Sequence, residues 1–197
     1  MTFAHEGIAN STVDRDVRRG NLTDHPASSR RMMVLQSLCQ WLYDIPTVAA
    51  LRESDDVFPV LETLHVLGIC LMVGTIATVD LRLVGAILRE QPVTSISKAL
   101  LPYTWAGFGL MLLTGLPLFA AESMKLYGNP AFRIKLLLLL LAGGNALLFH
   151  KTSYPRVAQW DRSEALPARV KMFACISLLL WSGVVVWGRL IAVFRAH

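Results

Sequence analysis

The sequence predicts an all-α integral membrane protein: a four-transmembrane-helix bundle with an N-terminal interfacial amphipathic helix. Three observations carry that reading. Hydrophobic residues make up 54% of the 197-residue chain and its mean hydropathy is +0.48, more apolar surface than a water-soluble domain needs for its core. The excess is uneven, because residues 1–31 hold five Arg and few large apolar side chains, whereas the chain beyond Val57 is mostly long apolar runs. Four of those runs reach about 20 residues, the length that spans the roughly 30 Å hydrocarbon core of a bilayer.

In chain order, residues 1–31 read as a disordered polar tail. Gly, Ser, Asn, Asp and Arg without apolar periodicity cannot offset the entropy of ordering the backbone, and Met32 or Met33 offers an alternative translation start. The first strongly apolar stretch begins only near Met32, too late for a cleavable signal peptide, so the first span acts as the insertion signal. Residues 34–53 read as the interfacial helix. Leu35, Leu38, Trp41, Leu42 and Ile45 turn toward lipid or protein, while Asp44, Pro46 and Arg52 leave the segment too polar and too broken to cross.

The transmembrane domain is placed at 58–197, with spans at about 58–84, 99–121, 131–149 and 172–194. The third carries an unbroken Leu run at 136–141; a helix apolar on every face belongs in lipid. Pro92, Asn129 with Pro130, Pro155 and Pro167 punctuate the connections. Trp105, Tyr127, Tyr154, Trp160 and Trp187 fall near span ends, where interfacial aromatics sit.

The net charge of +5 does not point to nucleic acid, since most Lys and Arg lie between apolar runs, as cytoplasmic loops place them. Cys39, Cys70 and Cys175 have no paired spacing, which excludes a disulfide framework and a thiolate metal site. There is no nucleotide-binding loop, no catalytic-triad spacing and no HExxH or CxxC motif.

Ionisable residues inside spans cost about 2.5 to 3.5 kcal/mol at mid-helix, so each asks for a partner or a task. Here they are Glu62, His65, Asp80, Lys135 and Arg189, with His150 at a span end. At about 100° per residue Glu62 and Asp80 share an azimuth, and His65 lies about 60° from it. Gly68 and Gly74, between them, admit a neighbouring helix or a flat ligand, helix packing being the simpler reading. The first and third spans run in the same direction, so His65 and Lys135 lie at matching depth, with Arg189 near that level. His150 lies about 22 Å from Lys135 along its helix, too far to share one iron with it. Asp80, Arg82 or a lipid phosphate is its expected neighbour. His65 itself is open to three roles: hydrogen-bonded packing group, axial haem ligand or ligand of another metal.

Pro59, Glu62, Thr63, His65 and Gly68, then Gly74 and Asp80-Leu81-Arg82-Leu83-Val84-Gly85, form one sequence block; Phe132-Arg133-Ile134-Lys135, Asn145 and Phe149-His150 form a second. Together they resemble an uncharacterised family of bacterial four-span inner-membrane proteins, from about Val34 to the C-terminus. At His65 and Lys135 only, the chain is also similar to the copper-resistance D proteins and the membrane protoporphyrinogen oxidases. That resemblance implies haem b or copper, with His65 as metal ligand and Lys135 as a cofactor-binding residue. Glu62, Asp80, Asn145, His150 and Arg189 complete the expected polar intramembrane network. A di-haem cytochrome with four intramembrane histidines is excluded, because only His65 and His150 are available.

The expected function is therefore that of a bacterial inner-membrane protein binding one b-type haem for electron transfer, with a membrane redox partner. The alternatives are an accessory or structural subunit of a larger membrane complex, whose charges fix helix register, and a small copper-handling or transport protein. Orientation follows from charge. The loops at 82–98 and 151–171 hold eight Lys and Arg, against Arg52, Lys125, Arg133 and Arg195 on the other side. Counting the five Arg of the tail would turn this into nine against eight, but they lie beyond the roughly 20 residues over which charges orient a span. The two loops are thus cytoplasmic and both termini periplasmic. A reporter fused after His197 is expected to read as periplasmic; cytoplasmic activity would reverse the sides and leave the spans intact.

Overall fold

The computed structural model describes residues 26–161 and 166–194, with side chains from residue 33 onward. Most of the segment read as a polar tail, residues 1–25, lies outside the described residues. Every regular element among the described residues is helical: α1 Pro26–Tyr43, α2 Pro46–Glu53, α3 Val57–Val84, α4 Val93–Tyr127, α5 Pro130–Thr152, a 3-10 turn at Tyr154–Gln159, and α6 Ala168–Val193. α3, α4, α5 and α6 are long and apolar enough to cross a membrane. Their outer faces carry side chains such as Leu113, 75% exposed, and Leu179, 74% exposed, which water would penalise and lipid accepts. The chain is a multi-pass membrane protein.

The helix limits follow local chemistry. α3 ends at Gly85, whose φ of 88° is a left-handed conformation that glycine adopts without a Cβ clash. α4 has 35 residues, with Pro102 and Pro117 inside it. It is about 52 Å long, so one end projects beyond a hydrocarbon core of roughly 30 Å. Asn129 opens α5: its side chain accepts hydrogen bonds from the Ala131 and Phe132 amides at 2.9 and 3.3 Å, and it donates to the Ile191 carbonyl of α6 at 3.1 Å. Cap and inter-helix tie are one residue.

α3 packs along both α4 and α6, and α6 along α5. α4 and α5 have no extended packing; they meet near their short connection, where Phe119 and Phe132 stack with ring centroids 5.7 Å apart. At the opposite end the Asp161 carboxylate accepts from the Thr94 amide at 2.8 Å and from its hydroxyl at 2.7 Å. The turn after α5 is thereby held over the start of α4.

The amphipathic segment is two helices, broken at Pro46, and it is more than a surface float. α1 packs against α4, and Ser123 near the projecting end of α4 donates to the Cys39 carbonyl at 2.9 Å. Val34, Leu35, Leu38 and Trp41 remain exposed on the other side of α1. Trp160 differs from the expectation of an interfacial aromatic: it is 6% exposed and packs with Leu83, Val93, Leu166, Val170 and Ala174. The Asp161 tie draws it inward.

Close backbone approach between α3 and α4 occurs at Gly68 and Gly107. A Cβ on Gly68 would stand 3.1 Å from the Met111 nitrogen, and one on Gly107 would stand 2.7 Å from the Met72 nitrogen. Gly74 meets nothing within 4 Å, so the close approach anticipated at both glycines of α3 is made at Gly68 alone. Gly107→Val is expected to lower stability by about 1 to 3 kcal/mol through overpacking against backbone that cannot yield. Gly74→Ala should leave it unchanged or slightly raised, both read by thermal unfolding in detergent.

Candidate functional site

His65 lies on α3, three residues before the Gly68 contact, so the same close approach brings its ring against α4. Its Nδ1 is 2.9 Å from the Thr114 hydroxyl oxygen. That hydroxyl also lies 2.7 Å from the Leu110 carbonyl, which can only accept. Thr114 has one proton, and it goes to Leu110. The Thr114 oxygen therefore accepts from Nδ1–H, and Nε2 of the neutral ring keeps its lone pair. The Met111 carbonyl lies 3.5 Å from the same hydroxyl. The ring lies over Gly115, where an added Cβ would come within 2.8 Å of Cε1.

Lys135 on α5 is within electrostatic reach of His65, as the matched depth along α3 and α5 predicts. Its stem crosses Gly188 of α6: a Cβ there would be 3.7 Å from Nζ. His65 is thus held by α4 and Lys135 by α6, across a bundle whose α4 and α5 part between their ends.

Glu62 and Arg189 share this level, yet both are exposed and neither forms an ion pair among the described residues. Each lies within about 8 Å of its helix end, by the rise per residue, where a charged group can reach headgroups and water. The other expected members stand toward the opposite end. Asp80 is 7% exposed, within electrostatic reach of Ser177 on α6, and its Oδ2 has no hydrogen-bond partner. Asn145 donates to the Phe173 carbonyl at 3.0 Å, joining α5 to α6. His150 is exposed beside the Phe149 and Tyr154 rings and forms no ion pair with Asp80 among the described residues.

Arg82, counted above among the loop cations, is only 1% exposed. Its Nε donates to the Gln91 carbonyl at 2.9 Å, and Nη1 and Nη2 have no hydrogen-bond partner. The Gly85 turn folds the following loop over it. Sequence reasoning also passed over Thr114; its only signal was a hydroxyl in an apolar helix. The three cysteines are free, and no group of three or more His, Cys, Asp and Glu gathers among the described residues.

Residues 57–194 match the family of unknown function DUF6644. Neither a curated protein nor a solved structure matches the chain. The match supports the likeness to an uncharacterised family and lends nothing to the likeness to copper-resistance D proteins or protoporphyrinogen oxidases. Thr114→Val, which keeps the shape and removes the acceptor for His65, is expected to cost about 1 kcal/mol. Thr114→Ser should restore most of it in the same thermal assay.

Proposed function

The chain belongs to the DUF6644 family of unknown function, and from the geometry of its site we propose that it is a bacterial inner-membrane electron-transfer protein holding one b-type haem through His65. The observation that carries this reading is the oriented imidazole. A ligating histidine commonly donates its second ring N–H to a fixed acceptor, which sets the tautomer and the direction of the free nitrogen. Thr114 does this for His65. Haem, when bound, supplies one-electron redox chemistry at its iron. Nε2 of His65 is the donor this chain offers. Lys135 supplies a positive charge at the same level, suited to a propionate, and becomes an iron donor only after losing its proton. α4 and α5 do not pack along their lengths, and a flat group would reach the bundle interior from the lipid on that side. Electrons would pass to a membrane redox partner.

A second reading, a non-catalytic accessory subunit of a larger membrane complex, is favoured by a different observation. The His65 ring fills the space over Gly115, and Asn145 ties helices together, as groups that only fix helix register would do. A copper-handling or transport role would rest on His65 alone among the metal ligands anticipated.

The visible spectrum of the protein purified in mild detergent and titrated with haem separates these readings. A Soret band that His65→Ala abolishes and His150→Ala leaves largely intact is the expected result. Loss of the band from His150→Ala but not from His65→Ala would reverse the assignment. A wild-type protein that never acquires the band, yet is strongly destabilised by Lys135→Ala, would establish the accessory reading.

A further inference from the structure

Where α5 ends and α6 begins, the chain encloses a half-open cavity of about 160 Å³. Ser153, Arg156, Gln159, Trp160 and Arg169 line it with hydrogen-bond donors, and among the described residues no acidic side chain lines it. Neither arginine forms an ion pair among the described residues. Arg169 stands over the Phe173 ring at 5.9 Å, which leaves its N–H groups free to point elsewhere.

Ser153 is an independent sign of a ligand. Its residue is 6% exposed, it lines the cavity, and its hydroxyl has no hydrogen-bond partner among the described residues. The hydroxyl is reached from the cavity, so a group bound there can accept its proton. The first turn of α6 adds to the same field: Pro167 gives it no side-chain cap, and helix N-termini attract anions. The end of α5 opposes this with about half a negative charge, which two full guanidinium charges outweigh.

We propose that this cavity binds the phosphate of an anionic phospholipid at the membrane surface. The volume suits a headgroup phosphate and is too small for a nucleotide-sized ligand, whose pockets begin near about 300 Å³. The choice of lipid over free phosphate rests on what lies one turn into the membrane. Leu148, one turn before Thr152, and Met172, one turn after Arg169, are both more than half exposed, and Ile176 continues the apolar surface. Acyl chains have a track leading away from the cavity. Basic pockets between helices on the cytoplasmic side are where anionic headgroups bind, and the loop charge count puts this end there.

The test is native mass spectrometry of the full-length protein released from micelles carrying equal amounts of phosphatidylglycerol and phosphatidylcholine. The wild type is expected to retain phosphatidylglycerol selectively. Each arginine near an anionic headgroup contributes about fivefold in binding, so R156Q/R169Q should reduce that preference roughly 25-fold. Both positions are exposed, and unchanged helical circular dichroism will confirm that the variant is folded. R89Q, a change on the same side outside the cavity, should keep the wild-type preference. Equal retention of the two lipids by the wild type overturns the proposal, as does an undiminished preference in the folded double variant. Displacement of bound phosphatidylglycerol by millimolar inorganic phosphate overturns the lipid assignment in favour of a soluble anion.

Discussion

The backbone contact between α3 and α4 governs much of this molecule. Gly68 and Gly107 let the two helices approach until main-chain atoms nearly touch, and the antiparallel register set there fixes every polar pairing along the seam. One turn before Gly68, His65 meets Thr114. Two turns after it, Thr75 meets Thr104 at 2.9 Å between their hydroxyls. With a larger residue at either glycine the helices would stand further apart, and hydroxyls on their short stems would no longer reach. In lipid there is little hydrophobic drive to bring helices together, so close packing and such hydrogen bonds do that work. The position of the candidate ligand His65 is thus a consequence of two residues with no side chain.

The other end of the bundle is organised by buried charge. Arg82 and Asp80 are both nearly inaccessible, and two nitrogens of Arg82 and one oxygen of Asp80 have no hydrogen-bond partner. An unpaired buried charge costs several kcal/mol, as an order of magnitude, so stability alone does not account for either group. Arg82 does hold the Gln91 carbonyl, closing the loop that leads into α4. Thr94 then receives the Asp161 carboxylate, and Trp160 packs beneath. Burial also removes Arg82 from the cations that face the membrane surface. Of the eight counted in the two loops seven remain against four, and the orientation argument keeps its sign.

The fold was legible because a bilayer imposes a one-dimensional constraint on apolar length. Pro46, Pro92 and Asn129-Pro130 marked real boundaries. What hydropathy could not show is a helix that continues after leaving lipid: α4 runs Val93–Tyr127 where the apolar run covers 99–121, because its last turns pack against α1 instead. Depth was legible too, since rise per residue is fixed, and it brought His65 and Lys135 together. Partners across a seam were not. Thr114 reads as a neutral residue in an apolar run, and nothing in its spacing says which helix it faces. Glu62 and Asp80 share an azimuth, yet one is exposed and the other buried; azimuth does not say where along a helix the neighbours stop.

The connection between α4 and α5 is two residues long, yet α5 is pinned elsewhere. Asn129 caps α5 and donates to the last turn of α6, Asn145 bonds the α6 backbone further along, and Lys135 lies over Gly188. The four spans are therefore two pairs, α3 with α4 and α5 with α6, joined chiefly through α3 and α6. His65 is fixed to the first pair and Lys135 to the second. A small rotation of one pair about the α3–α6 contact would change the distance between these two groups while leaving intact the hydrogen bonds that orient His65. The two groups of the candidate site thus stand on either side of the boundary between the pairs, where α4 and α5 do not pack along their lengths. A ligand contacting both His65 and Lys135 would bridge the pairs, and its binding free energy would add to the packing that holds them together.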